Sequence, residues 1–264
     1  MAKYIEVIND SNVVSVDDSQ ARLSLMRSVN LSNVGYDQSG SYEWPSGHLN
    51  RAPQYCATSF YRFPIQLGNN EKMFSLRALA DNPHTGFTRL ASNNATSYLY
   101  AYRNRNNIID FSNYVLDFYG YDNSATGTVG LQVFDSNSNL IFNSNKYYFD
   151  IKGSYNIQHE DYFARIFVRD GVPKNINIGG YQRSNSAVVI NNGSYNLCKF
   201  SDYYDLPPYD MVFSIVFGST IYLEPRIAFW VNAWSTYTNP SNHIAYPNFS
   251  LVSSGVILDT TNIS

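Results

Sequence analysis

Two short apolar runs around a polar turn occur twice in this chain, and this repetition constrains the fold more than any other sequence feature. The first copy is IEVINDSNVVSVDD (residues 5–18), and the second is GLQVFDSNSNLIFNS (residues 130–144). β-Branched and aromatic residues favour strands, whereas Asn, Asp and Ser favour turns. Each copy is therefore predicted to form a β-hairpin.

The similarity continues past the hairpins when the chain is aligned with itself at a separation of 126 residues, the difference between positions 131 and 5. Ile5 then falls on Leu131 and Leu23 falls on Phe149, and the match fades after Ile157. One period close to half the chain predicts two copies of one domain. The alternative is a chance match between two generic hairpins in a chain rich in Asn and Ser.

Short strand-like runs separated by turn residues predict an all-β fold. We expect two tandem β-sandwich-like domains, residues 1–128 and 129–264, joined through the small polar stretch DNSATGT (residues 122–128). Residues 69–80 also suit a helix, but the alternation in FSLRALAD favours a strand. The clearest strand predictions are Tyr4–Ile8, Gln54–Phe63, Tyr98–Arg103, Tyr114–Tyr121, Phe163–Arg169, Ala187–Ile190, Met211–Phe217 and Ile227–Ala233.

Charge and motif content exclude several functional classes. The net charge of −3 and the scattered Lys and Arg residues argue against nucleic-acid binding. No apolar run approaches 18 residues, and the N-terminus lacks the features of a signal peptide, so neither membrane insertion nor secretion is expected. HExxH, P-loop, GxGxxG and GxSxG motifs are absent, and Cys56 and Cys198 lack zinc-ligand spacing. We expect no catalytic residues, no cofactor and no metal.

Charged residues make up only 15% of the chain, whereas it holds 23 Tyr and is rich in Asn and Ser, which is typical of recognition surfaces. The alternative is that Tyr is frequent because it favours strands and Asn because it favours turns. Three polar stretches place aromatic residues where they could contact a receptor or partner. In SDYYDLPPYD (residues 201–210), Asp202 and Asp205 flank two tyrosines and could bind a sugar. The alternative is that these rings pack on their own domain. The candidate contact residues are Tyr36, Tyr42, Trp44, Tyr203, Tyr204, Trp234 and Tyr237.

Two blocks of the sequence resemble small β-rich tail proteins of tailed bacteriophages and prophages of enteric bacteria. MAKYIEVINDSNVVSVDD resembles the start of those proteins. Residues 114–153 resemble their hairpin hallmark, G-L-x-V-[YF]-[ND] followed by [IVL]-F-[DN]-S. The hallmark turn often holds a Gly, whereas Ser138-Asn139 stands there in this chain. The matching positions are Gly130, Leu131, Val133, Phe134, Asp135, Phe142, Asn143 and Ser144.

The resemblance implies a structural component of the phage tail, at the tail tip or fibre, with a role in host attachment and no catalytic residues. Such a protein is synthesised in the host cytoplasm and then resides in the virion. Its expected partners are other tail proteins and a host-surface receptor or glycan, with several symmetric copies of the chain. Residues 1–128 would attach to the virion and residues 129–264 would face outward. The alternatives are a stand-alone carbohydrate-binding adhesin, a capsid decoration protein and, less favoured, a glycan-degrading enzyme.

Overall fold

The structure is a computed structural model that describes residues 4–8, 13–17, 23–41, 57–91, 97–104, 109–122, 130–134, 138, 140–158, 175–192, 195–198, 209–228 and 252–263. Strands dominate this part of the chain. Its helices are α1 (Leu31–Val34) and two 3₁₀ helices, Phe111–Asn113 and Arg183–Asn185. The strands are β1 (Tyr4–Ile8), β2 (Val13–Asp17), β3 (Ser24–Asn30), β4 (Gln38–Ser41), β5 (Ala57–Ile65), β6 (Glu71–Ala78), β7 (Asn82–Ala91), β8 (Ser97–Asn104), β9 (Tyr114–Gly120), β10 (Gln132–Phe134), β11 (Leu140–Asn143), β12 (Ile151–Gln158), β13 (Ile176–Gln182), β14 (Ser186–Asn192), β15 (Tyr195–Cys198), β16 (Tyr209–Phe217), β17 (Thr220–Ala228) and β18 (Val252–Asp259).

Two antiparallel sheets form the body of the protein. The six-stranded sheet has the order β12-β18-β14-β6-β9-β3. The eight-stranded sheet has the order β13-β17-β16-β7-β8-β5-β4, with β15 also pairing with β16. The two predicted hairpins are present as separate two-stranded sheets, β1 with β2 and β10 with β11. The all-β prediction is confirmed.

A single hydrophobic cluster lies between the two sheets and joins them into a sandwich. The six-stranded sheet contributes side chains such as Leu116 and Val188, which are fully buried. At the centre, the ring of Phe87 on β7 lies 4.6 Å from that of Tyr114 on β9 and 6.3 Å from that of Phe217 on β16, measured between centroids. Strands from both halves of the chain therefore share one core.

The two halves of the chain contribute strands in the same nested order. In the first half β3 pairs with β9 and β5 pairs with β8 on the outer side, with β4 added beyond β5 at the edge, whereas β6 and β7 lie at the middle of the sandwich. In the second half the outer pairs are β12 with β18 and β13 with β17, whereas β14 and β16 lie at the middle. The halves meet where β6 pairs with β14 and β7 with β16. Both sheets thus continue across the expected domain boundary at residues 128 and 129.

Local irregularities repeat at the same separation as the sequence pattern. A β-bulge leaves Met26 as the extra residue of β3, and another leaves Lys152 as the extra residue of β12, which is 126 positions later. The Phe149 amide also donates to the Leu23 carbonyl at 2.9 Å, and these two residues are aligned by that same separation. Equivalent segments therefore meet each other, as they do across a pseudo-two-fold axis. These features support a duplication, which stays a proposal.

Most of the named strand predictions fall on strands, with shifted ends. Residues 69–80 contain the strand β6 and not a helix. β17 covers the first two residues of the prediction at Ile227–Ala233 and begins seven residues earlier, at Thr220, whereas residues 229–233 lie outside the described residues. The prediction at Phe163–Arg169 lies outside the described residues.

Candidate receptor-contact site

Tyr36 is the one predicted contact residue that lies in the described part of the chain, and it is 51% exposed. The other six fall outside that part, and the structure does not place them relative to Tyr36. They are Tyr42, Trp44, Tyr203, Tyr204, Trp234 and Tyr237. The carboxylates Asp202 and Asp205 also lie outside it. Tyr36 is therefore the starting point for the candidate site.

A tight turn places Tyr36 at the edge of the sandwich. The Asn30 side chain accepts from the Ser32 amide at 3.0 Å and so caps the short helix α1. Gly35 follows the helix with a φ of 72°, a conformation that suits glycine. The chain then enters β4, the edge strand of the eight-stranded sheet. This stretch is polar and contains Gly40, a composition that is unfavourable in the interior of a sheet. At an edge, however, polar residues are well tolerated because one side of the strand faces solvent.

The Tyr36 ring covers the edge of the hydrophobic core while leaving half of the residue in solvent. Its centroid lies 5.1 Å from that of Tyr61 at an interplanar angle of 72°, and 6.2 Å from that of Phe63 at 83°. Both contacts are edge-to-face, and among the described residues no ring stacks flat on Tyr36. The ring therefore packs on its own fold and also presents surface to solvent, and its role as a contact residue stays a prediction.

A charged pair lies on the opposite face of the sheet from this ring, formed by Asp37, which follows Tyr36, and Arg62, which lies between Tyr61 and Phe63 on β5. Arg62 Nε and Nη2 each donate to a separate Asp37 carboxylate oxygen at 2.8 Å. The Asp37 amide also donates to the Arg62 carbonyl at 3.0 Å, which anchors the start of β4 to β5. The Asp37 and Arg62 side chains remain 35% and 28% exposed, so both are accessible from solvent.

The hydrogen bonds of this pair keep both groups charged. Donation from Arg62 lowers the pKa of Asp37 below its ordinary value, and acceptance by Asp37 raises the pKa of Arg62. The guanidinium also lies over the Tyr98 ring, 4.7 Å from its centroid, which holds the arginine in place. The corner thus combines an exposed ring with a fixed ion pair. We call Tyr36, Asp37 and Arg62 the Tyr36 corner.

A second surface feature lies in the segment 121–151. Seven large hydrophobic side chains are exposed among the described residues, and five of them belong to this segment. They are Tyr121, Leu131, Phe134, Tyr147 and Ile151. Lys146 Nζ pairs with Asp122 Oδ2 at 2.9 Å and so ties the two ends of the hairpin region together. This is also the segment that carries the resemblance to tail proteins.

The outer face of the eight-stranded sheet carries a row of tyrosines on β8, but it is not an open surface. Tyr100 and Tyr102 are only 6% and 1% exposed, and their rings stack at 6.2 Å. Neighbouring Thr88 and Ser214 on the same face are also buried. These tyrosines are therefore not accessible to a large ligand.

A fully buried carboxylate in the described part of the chain also lies away from any open surface. Asp117 on β9 is fully buried; its carboxylate accepts from Arg77 Nε at 2.7 Å and from Ser28 Oγ at 2.5 Å. Sequence reasoning missed this cluster, because its members are 40 and 89 residues apart. Each of these polar residues lies among apolar neighbours on its own strand, and the local sequence does not show which polar residues pair.

Within the described residues, no group of three or more His, Cys, Asp or Glu side chains is arranged to hold a metal ion. None of the helices in that part of the chain has the length and hydrophobicity needed to span a bilayer. His159, Glu160 and Asp161, three ligand-type residues that are adjacent in the sequence, fall outside the described residues.

Comparison of the chain with protein-family models, with curated proteins and with solved structures found no match.

Proposed function

We propose that this protein is a structural component of a bacteriophage tail, at the tail tip or fibre, with a role in host attachment. Its partners are other tail proteins and a receptor or glycan on the host surface. In this proposal the chain is made in the host cytoplasm, is present in several symmetric copies in the virion, and has no catalytic role.

One observation carries the proposal: the segment that resembles tail proteins is also the segment where exposed apolar side chains concentrate. Exposed hydrophobic groups on a folded protein are typical of surfaces that dock on partners. In the hairpin of β10 and β11, Val133 and Ile141 are buried whereas Leu131 and Phe134 are exposed. The hairpin therefore has its own small core and still presents apolar groups outward, as an assembly contact requires.

Exposed features lie in both halves of the chain. Tyr36 lies in residues 1–128, which were expected to attach to the virion. Leu131, Phe134, Tyr147 and Ile151 lie in residues 129–264, which were expected to face outward. We therefore propose that segment 121–151 contacts the tail and that the Tyr36 corner faces the host.

Mass spectrometry of purified phage particles tests this proposal, with cryo-EM to locate the protein on them. We expect the chain in the tail fraction, and we expect Leu131→Ser with Phe134→Ser to lower its incorporation. Leu79→Ser, which changes an exposed leucine elsewhere, is the matched control and should incorporate normally. Absence of the chain from particles would overturn the proposal. Density on the capsid would instead favour a decoration role.

A stand-alone adhesin is the second candidate, and the Tyr36 corner favours it. That reading predicts that the purified chain binds host cells but is absent from tails. The same particle preparation therefore separates the two functions.

A further inference from the structure

Arg89 places a positive charge between the two sheets of the sandwich. It lies two residues after the fully buried Phe87 on β7, so both side chains point to the core side of that strand. Its Nη1 donates to the Ile190 carbonyl on β14 at 3.2 Å, and its Nη2 donates to Ser97 Oγ on β8 at 2.8 Å. The guanidinium carbon also lies 5.1 Å from the centroid of the Phe74 ring on β6. Elements of both sheets therefore surround this charge.

No carboxylate neutralises the Arg89 guanidinium within the part of the chain that the structure describes. Burial alone lowers the pKa of Arg89, with no contribution from an acidic neighbour. A cation that is removed from water without a counter-charge is unfavourable. Four other arginines of the described residues do have an acidic partner, in the pairs Arg27–Glu71, Arg62–Asp37, Arg77–Asp117 and Arg183–Asp81.

Arg27 is the closest comparison, because it also lies over a ring of the core. Its guanidinium carbon lies 3.7 Å from the centroid of Phe118, and the Phe118 ring lies 6.1 Å from the Phe74 ring beneath Arg89. Arg27 Nε and Nη2 donate to the Glu71 carboxylate at 2.6 and 3.0 Å. The two arginines thus share the aromatic contact and differ in the counter-charge. A bound anion would supply at Arg89 what Glu71 supplies at Arg27.

The donors around Arg89 suit an oxyanion. The guanidinium has five N–H groups, and its two hydrogen bonds use two of them. Its Nε is buried and has no hydrogen-bond partner. Ser97 Oγ accepts one of the arginine bonds and keeps its own proton to donate. Arg89 and Ser97 are both partly exposed, so solvent reaches part of this cluster. Guanidinium N–H groups match the spacing of carboxylate and phosphate oxygens.

We propose that Arg89 and Ser97 form a binding site for an oxyanion, the carboxylate or phosphate group of a small ligand, between the sheets where β7 ends and β8 begins. The anion accepts hydrogen bonds from the guanidinium and from the Ser97 hydroxyl, and it neutralises the charge that the fold leaves unbalanced. This inference goes beyond the proposed function, because it uses neither the resemblance to tail proteins nor the segment 121–151.

Nitrogen-15 NMR of the full chain tests the site through the Arg89 Nε–H signal. The probes are sodium phosphate and, separately, sodium acetate, each compared with sodium chloride at the same ionic strength. We expect a saturable shift of the Arg89 signal with at least one of the two oxyanions and none with chloride. Arg89→Gln should weaken binding at least about tenfold, read from the shift of the Ser97 amide. Arg183→Gln removes an arginine that already pairs with Asp81; it is the matched control and should bind within about twofold of the parent.

Through-bond correlations assign the Arg89 signal in the parent, so the titration decides the question even if Arg89→Gln does not fold. A response to phosphate alone supports a phosphate site, and a response to acetate alone supports a carboxylate site. Absence of a saturable shift with both oxyanions overturns the inference. Unchanged binding in folded Arg89→Gln, or equal weakening in Arg183→Gln, also overturns it, because the shift would then report a general charge effect. The location of the chain on phage particles tests the proposed function separately.

Discussion

Asp117 differs in character from its equivalent in the second half of the chain. Leu25 pairs with Tyr119, and Ile151, its aligned partner, pairs with Leu258. Tyr119 on β9 therefore corresponds to Leu258 on β18. Two residues before them, Asp117 corresponds to Val256. One sandwich position thus holds a buried carboxylate in one half and a valine in the other. The fold accepts either, so the Asp117–Arg77 pair is not a requirement of the sheet.

Because the sheet accepts a valine at this position, we expect the stability effects of substituting Asp117 and Arg77 to be strongly coupled. Asp117→Val alone leaves Arg77 without its carboxylate in a mostly buried site and should cost about 3–5 kcal/mol of unfolding free energy. Asp117→Val combined with Arg77→Met removes both charges and should recover most of that loss. Urea denaturation of the single and double variants measures the coupling. If the double variant is as unstable as the sum of the singles, the pair does not act as a unit.

Tyr119 predicts an alkaline limit to stability. Burial, and secondly the charge of Asp117, raise the pKa of Tyr119 to about 12 from an ordinary value of 10.0. A raised folded-state pKa means that the stabilising contribution is complete below pH 10 and is lost as the pH rises to about 12. The loss amounts to about 2–3 kcal/mol for a shift of this size.

Denaturation of the parent and of Tyr119→Phe between pH 8 and 12 checks this limit. The phenylalanine variant should lose less stability across that window. Tyr36→Phe, at an exposed position, should follow the parent. If the unfolding free energy of Tyr119→Phe falls with pH as that of the parent does, other groups cause the loss of stability at alkaline pH.

At the scale of elements, the hairpin of β10 and β11 depends on a turn that lacks the usual glycine. Ser138 has a φ of 65°, and among the described residues it is the non-glycine residue with a positive φ. L-residues other than glycine pay a steric cost in that region. Gly130, at the base of the hairpin, has a φ of 142°, and a Cβ there would lie 2.5 Å from Ser144 Oγ. The two positions therefore predict substitutions of opposite effect.

Ser138→Gly should stabilise the hairpin by about 0.5–1 kcal/mol, and Gly130→Ala should destabilise it. Hydrogen exchange of the Ser144 amide, which donates to the Leu131 carbonyl at 2.9 Å, reports the hairpin directly. Its protection should rise about two- to fivefold in Ser138→Gly and fall in Gly130→Ala. Unchanged or lower protection in Ser138→Gly would mean that the serine conformation is not strained.

The sequence was informative about elements and weak about their partners. Runs of β-branched and aromatic residues between turn residues located β9, β14 and the two hairpins, because such residues favour strands. Pro225 concealed the middle of β17, since proline is rare within sheets. Tyr36 could be picked out from its polar surroundings, but Asp37 is paired with a residue 25 positions away. No local pattern encodes that pairing, nor the pairing of β6 with β14.

At the scale of the whole molecule, the shared core determines how the chain unfolds. Phe87 is fully buried at the point where β7 meets β16, and its ring contacts those of Tyr114 and Phe217. Both sheets continue across this junction. Unfolding of one half would therefore expose the core side chains of the other half to solvent. Two independent sandwiches would instead unfold in two transitions.

We therefore expect one cooperative transition in differential scanning calorimetry, with the calorimetric enthalpy close to the van 't Hoff enthalpy. Phe87→Ala should lower the unfolding free energy by about 3–5 kcal/mol, because it leaves a cavity at the junction. It should lower hydrogen-exchange protection in β6 and in β14 alike, although Phe87 belongs to the first half. Leu79→Ala, at an exposed site, should change stability by no more than about 0.5 kcal/mol. Loss of protection in β6 with β14 unaffected would show that the halves unfold separately, and the shared core would then not govern stability.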